Sequence, residues 1–262
     1  MSGKAGSISP RGTQAMRDAS PAASKRTRGG AAAAFSDETQ AGETGRADAA
    51  YRFLRNAILS NELPAGFQAA ENEIAARLGM SRTPVHEAMA RLQEEGFVQI
   101  LPRKGILVKA LSPADLLEIY DILIALEGAA AERLASGQVE DADQVANVLD
   151  GQTSEMEAAL RDGDLDRWAE ADHAFHDLLV TRCGNGRIRR MAATVAGQSH
   201  RARRLTLHLR PLPVDSAGEH RAIVDAIRTG DAIAAGAAAR NHRRRARDQL
   251  VPILKRLKLA TL

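Results

Sequence analysis

Four polar residues stand at positions where helical periodicity calls for apolar ones. Asp172 and His176 are four residues apart, about 40° around a helix, and share a face with Trp168, Phe175 and Leu179. His220 falls on the stripe of Ile223, Val224 and Ile227, and His242 on an alanine stripe that includes Ala235, Ala239 and Ala246. A buried polar group without a partner costs about 1–3 kcal/mol, so all four must meet partners inside the protein. One acid and three imidazoles form a donor set that suits first-row divalent ions. Hydrogen-bonded core histidines are the alternative, and periodicity leaves both readings open. His173 lies at the edge of the stripe. His200 and His208 fall in an arginine-rich segment and read as solvated.

A second set has the chemistry of nucleic-acid contact. Ser81, Arg82, Thr83 and His86 open a helix that follows a tight turn. Arg82 can donate a planar fork to guanine, and the hydroxyls can reach phosphate or base. Arg103, Lys104 and Gly105 sit at the tip of an expected hairpin, where two cations could meet phosphates or a minor groove. Ordinary surface charge is the other reading of these residues.

The elements that must position these groups are mostly helical. Tyr51, Leu54, Ile58 and Leu59 recur at helical spacing until Leu63-Pro64-Ala65-Gly66 breaks the run. Ile74, Ala75 and Leu78 mark a short second helix closed by Gly79. Ser81 is expected to cap a third, with Pro84 in its first turn and a buried stripe of Val85, Ala88, Met89 and Leu92. Residues 97–101 and 106–108 read as a hairpin around the Pro102–Gly105 turn. Three helices and a hairpin make a winged helix-turn-helix. Ser112-Pro113-Ala114-Asp115 then starts a run of helices, expected at 113–135, 140–162, 164–182, 186–209, 215–229 and 231–258. The expected fold is therefore mainly α: a winged helix-turn-helix over 46–110 and an antiparallel all-α bundle over 111–262. Residues 1–45, poor in large apolar side chains, read as a disordered tail.

Composition excludes several classes. No apolar run reaches about 18 residues, so a membrane span is not expected. A single cysteine, Cys183, excludes a disulfide scaffold and fits a reducing cytoplasm. Aromatic residues make up only 3%, which argues against a β-sandwich. The net charge of +3 is too small to argue a nucleic-acid partner by itself.

Glu62 to Gly66, then Leu78-Gly79-Met80-Ser81-Arg82-Thr83-Pro84-Val85-His86-Glu87-Ala88, then Leu92 to Gly96, closely resemble the N-terminal domain of GntR-family transcriptional regulators. Two positions depart from that pattern: His86 replaces a usual Arg, and Asn72 stands where some members carry a DNA-contacting Arg. Both suggest altered base readout. Residues 113–250 resemble the FCD effector domain of the FadR-type branch, through Asp172-x-x-Phe175-His176, Glu219-His220-x-x-Ile223 and His242. By that resemblance Asp172, His176, His220 and His242 hold a divalent transition metal of the Zn or Ni type. Members often carry an effector-clamping Arg where this chain has Leu123. Arg201, Arg203, Arg204 and Arg210 are the candidate substitutes for binding a carboxylate, Arg201 and Arg204 foremost.

The resemblance implies a cytoplasmic homodimer that binds a pseudopalindromic double-stranded DNA operator. It would be a repressor released by a small-molecule effector at or near the metal, and not an enzyme. The alternatives are a metalloenzyme and a regulator whose metal only staples helices. Against the metalloenzyme, Glu219 adjoins His220 in sequence and is expected to point elsewhere on its helix, leaving no evident general base.

Overall fold

The computed structural model describes the backbone of residues 30–257 and the side chains of residues 45–257. The proposed tail, 1–45, thus lies almost wholly outside the described side chains. The first helix, α1, runs Gly30–Leu59.

The head contains α1, β1 (Gln68–Ala69), α2 (Glu71–Leu78), α3 (Arg82–Glu94), β2 (Val98–Leu101) and β3 (Gly105–Val108). Its apolar stripes meet in one core, where Leu54, Ile58, Val85, Ala88, Met89, Leu92, Phe97 and Ile106 are buried. Gly79 ends α2 at φ 62°, a left-handed conformation that favours glycine. β2 and β3 form the expected hairpin, with Leu101 opposite Gly105 and Val98 opposite Val108.

Two expectations change. A third strand, β1, pairs antiparallel with β3, Gln68 opposite Leu107 and Ala69 opposite Ile106. At two residues it is too short to show alternation in sequence. Ser81 occupies the N-cap position of α3 but makes no side-chain capping bond.

Six helices follow: α4 (Pro113–Ala135), α5 (Ala142–Asp162), α6 (Leu165–Thr181), α7 (Gly186–Thr206), α8 (Val214–Arg228) and α9 (Ala232–Leu257), with a 3-10 turn at Leu207–Leu209. Ser112 caps α4 as its sequence implies, its Oγ accepting from Asp115 N at 3.0 Å. Asp164 and Asp231 cap α6 and α9 through the backbone N–H of Arg167 and Ala234, each at 2.9 Å. The main bundle core gathers Leu149, Met156, Trp168, Phe175, Leu179, Ile223 and Val224. A second cluster, with Leu111, Leu116, Tyr120, Leu123, Ala202 and Leu250, lies where α4, α7 and α9 meet. α4 packs chiefly along α9 and α7 and also meets α6 and α8, so it runs beside every helix whose polar residues matter below.

Candidate metal centre and nucleic-acid interface

α6 carries Asp172 and His176 on its buried face, one turn apart, while α8 supplies His220 and α9 supplies His242. All four residues are at most 5% exposed, and one ligand atom from each lies within 4.8 Å of the others. His176 Nε2 is 3.3 Å from His220 Nε2 and 3.2 Å from His242 Nε2. Asp172 Oδ1 is 3.7 Å from the Nε2 atoms of both His176 and His220.

The ring orientations follow from carboxylates behind them. His176 Nδ1 lies 2.9 Å from Glu127 Oε2, and His242 Nδ1 lies 2.8 Å from Glu219 Oε2. An ionised carboxylate only accepts, so each Nδ1 carries the proton and each Nε2 of the neutral ring presents a lone pair. Burial, followed by the neighbouring rings and Arg243, pushes the protonation of His220 and His242 well below the ordinary range. With both Nδ1 atoms committed to carboxylates, the Nε2 atoms of His176 and His242 face each other at 3.2 Å, an arrangement that a cation between them relieves. Nitrogen ligands about 2.0–2.1 Å from a tetrahedral ion stand about 3.3–3.4 Å apart, close to the separations here. The chemistry and spacing of the four donors therefore fit a divalent metal.

Charge compensation surrounds the cluster. Burial alone would raise the Glu127 carboxyl. The charge of Arg243, with the hydrogen bonds that Arg243 and His176 donate, outweighs it and holds the group well below the usual carboxylate range. Arg243 Nε donates to Glu127 Oε2 at 2.7 Å, and a second guanidinium nitrogen reaches Oε1. Burial likewise opposes ionisation of Asp172. Arg203, 2.8 Å from Oδ2, keeps it well below its ordinary value. Arg245 Nε pairs with Glu219 Oε1 at 2.6 Å.

Several of these residues were missed or misread in sequence. Glu219 does not point away from the cluster; it holds His242. Arg243, one of five arginines between Arg240 and Arg247, is only 2% exposed and lies beside Glu127. Glu127 had a readable signal: it lies on the buried stripe of Tyr120, Leu123 and Leu134 in α4. His200 is buried and stacks on His173 with ring centroids 4.2 Å apart, so it is not solvated.

The candidate effector residues separate. Arg201 is buried, and its Nη1 donates to Lys109 O at 2.8 Å, away from the cluster. Arg204 pairs with Glu170 at 2.7 Å on the outer side of α6. Arg203 and Arg210 instead line a cavity of about 40 Å³ that also touches Asp172, Glu219, His242 and Arg245. The Arg210 guanidinium stacks over Trp168 at 5.1 Å, and two of its nitrogens are buried without partners.

In the head, Ser81, Arg82, Thr83 and His86 are exposed at the start of α3. Glu71, the first residue of α2, ties two of them together. Its Oε1 accepts from Arg82 Nε at 2.9 Å, and its Oε2 lies 3.2 Å from His86 Nδ1. Arg103 and Lys104 are exposed at the hairpin tip, Arg103 with φ 64°. Gly105 has a structural reason for its identity: a Cβ there would lie 2.0 Å from Ala69 O of β1.

Comparison with known proteins gives two family matches. Residues 46–108 match the model described as bacterial regulatory proteins, gntR family, and residues 118–245 match the FCD domain. The chain is 60% identical over 136 residues to an HTH-type transcriptional regulator in the TAR-I ttuE-ttuC' intergenic region of Agrobacterium vitis, spanning 52% of this chain and 80% of that protein. It is 33% identical over 180 residues to a Paenarthrobacter nicotinovorans protein named for transcriptional repression of a D-xylose utilization operon, covering 68% of this chain and 77% of that one. A solved GntR regulator from Rhodococcus sp. RHA1 has the same fold, with a TM-score of 0.65 at 21% identity over 80% of this chain and 99% of that one.

Proposed function

From the premise that this chain belongs to the GntR family of bacterial transcriptional regulators and carries an FCD domain, we propose that it is a metal-dependent repressor. In this reading Asp172, His176, His220 and His242 hold a divalent transition metal. A small anionic effector beside it changes the grip of the head on an operator. The observation that carries the reading is the convergence of three imidazole Nε2 atoms and a carboxylate oxygen within 4.8 Å. When bound, the metal would supply a Lewis-acidic anchor for an oxyanion. The chain's own residues do the rest. Glu127 and Glu219 hold the rings, Arg203 neutralises Asp172, and Arg210 offers two free nitrogens to an anion. Arg203 and Arg210 thereby take the role that an Arg at position 123 would fill.

The cavity of about 40 Å³ holds little more than a water or two. An effector must therefore displace its walls, which include Arg210, Leu212 and Pro213 between α7 and α8 and Ser216 in the first turn of α8. Such displacement is how binding would be felt elsewhere, provided the effector favours one arrangement over the other. On the DNA side, Arg82, Ser81, Thr83 and His86 read the major groove, with Arg103 and Lys104 on the flanking backbone. A homodimer in the cytoplasm would place two such heads on a pseudopalindrome.

The small cavity also favours a second reading, in which the metal only clamps α6, α8 and α9 together. Footprinting on DNA upstream of the chain's own gene separates the two. Repression under effector control predicts salt-sensitive protection of a palindrome that weakens with a cognate carboxylate and loses that response on metal removal. A clamp predicts protection indifferent to every carboxylate, with metal removal lowering only the melting temperature.

A further inference from the structure

We propose that the cleft between α1 of the head and α6 and α7 of the bundle is a second ligand site, taking a small oxyanion such as a carboxylate or phosphate group between Arg55, Arg204 and His200. The cleft measures about 300 Å³, at the lower end for small-ligand pockets. Its lining draws Arg55 and Ser60 from α1, Glu170 and His173 from α6, and His200 and Arg204 from α7. It is separate from the cavity at the metal cluster, with which it shares no lining residue.

Two features point to an anion. First, His200 is 4% exposed, and its Nδ1 is buried without a hydrogen-bond partner, the kind of orphaned group a ligand would satisfy. Second, the cleft carries two guanidiniums against one carboxylate. Arg55 meets Glu95 only at 3.7 Å, so its fork retains donors, while Arg204 is held at the rim by Glu170 at 2.7 Å and Asp166 at 3.5 Å. An oxyanion accepting from Arg55 and Arg204 would bridge α1 of the head to α7 of the bundle. The site is thus placed to fix the head against the bundle.

Calorimetric titration of the metal-loaded full-length protein with inorganic phosphate and with succinate, at constant ionic strength, tests the proposal. The expected result is saturable binding of one of the two, one per chain. It should weaken at least about tenfold in Arg55→Gln and in Arg204→Gln, and persist in His242→Ala. NMR of the His200 ring nitrogens during the same titration locates the anion without any substitution; the Nδ1 signal should shift with the binding curve. Binding lost in His242→Ala but unchanged in both arginine variants would place the anion at the metal cluster and overturn the proposal. So would saturation that leaves the His200 ring unmoved, or no saturation by either anion up to about 10 mM, where binding is worth less than about 3 kcal/mol.

Discussion

Glu127 Oε2 stands 2.9 Å from His176 Nδ1 while its other bonds go to Arg243, so one buried carboxylate orients a ring of the cluster and neutralises a buried cation. Removing the carboxylate by Glu127→Gln should therefore do two things. Metal affinity should fall about 10–100-fold, because the ring keeps at most a neutral amide oxygen in place of the carboxylate that raises its basicity. Stability should fall by about 3–5 kcal/mol, because Arg243 is left buried without a counter-charge. Competition with a chromogenic chelator reads the first, and urea unfolding the second.

The two most buried arginines should respond in opposite ways to the same substitution. Arg243→Met leaves Glu127 charged in a dry interior and should cost about 3–5 kcal/mol. Arg201 makes one bond, to Lys109 O, and its burial disfavours the charged form. Arg201→Met should therefore stay within about 1 kcal/mol of the parent, since relief of desolvation offsets the lost bond. Equal losses in urea unfolding would contradict this assignment.

Acid should destabilise the protein from about pH 6.5 downward. His173 and His200 stay neutral in the folded state to about pH 4 and about pH 2, whereas unfolded imidazoles take up protons near pH 6.5. The unfolded chain binds more protons throughout that window, so stability rises with pH across it. Each ring contributes a slope of up to about 1.4 kcal/mol per pH unit. In His200→Leu the slope between pH 6 and pH 4.5 should be shallower by about one proton, read from denaturation midpoints across a pH series.

Gly105→Ala should disrupt the wing. Its φ of 85° disfavours any side chain, and the new methyl would collide with the Ala69 carbonyl of β1. Loss of the β1–β3 pairing should appear as faster amide exchange at Gln68 and Leu107, while exchange within the bundle is unchanged.

Operator binding should depend on Arg82 through bases and on Arg103 through phosphates. Arg82→Ala should cost about 1–3 kcal/mol and relax preference at one base pair. Arg103→Ala should weaken all sequences alike and reduce the salt slope by about 1. Glu71→Gln should release Arg82 and His86 and change which base is preferred, as a binding-site selection would show.

Much of this architecture is legible in sequence, because the bundle writes itself in periodicity and punctuation. Ser112-Pro113-Ala114-Asp115, Gly163-Asp164 and Gly230-Asp231 mark helix ends that the structure reproduces within a residue or two. The buried polar positions of α6, α8 and α9 are equally visible as breaks in apolar stripes. What holds them is harder to read. Glu127, Arg203 and Arg243 come from three different helices, and nothing local says that Arg243 turns inward while Arg244 turns out. His200 was misread because charged neighbours suggest solvent, whereas it stacks on His173 across a helix interface. β1 escaped notice because two paired residues leave no period.

Elemental analysis of the purified protein by plasma mass spectrometry tests the central claim most directly. The parent protein should hold about one divalent transition-metal ion per chain, and His176→Ala and His220→Ala variants that remain helical by circular dichroism far less than one. A metal-free parent that cannot be reloaded, or variants that retain the parent's full complement, would contradict it.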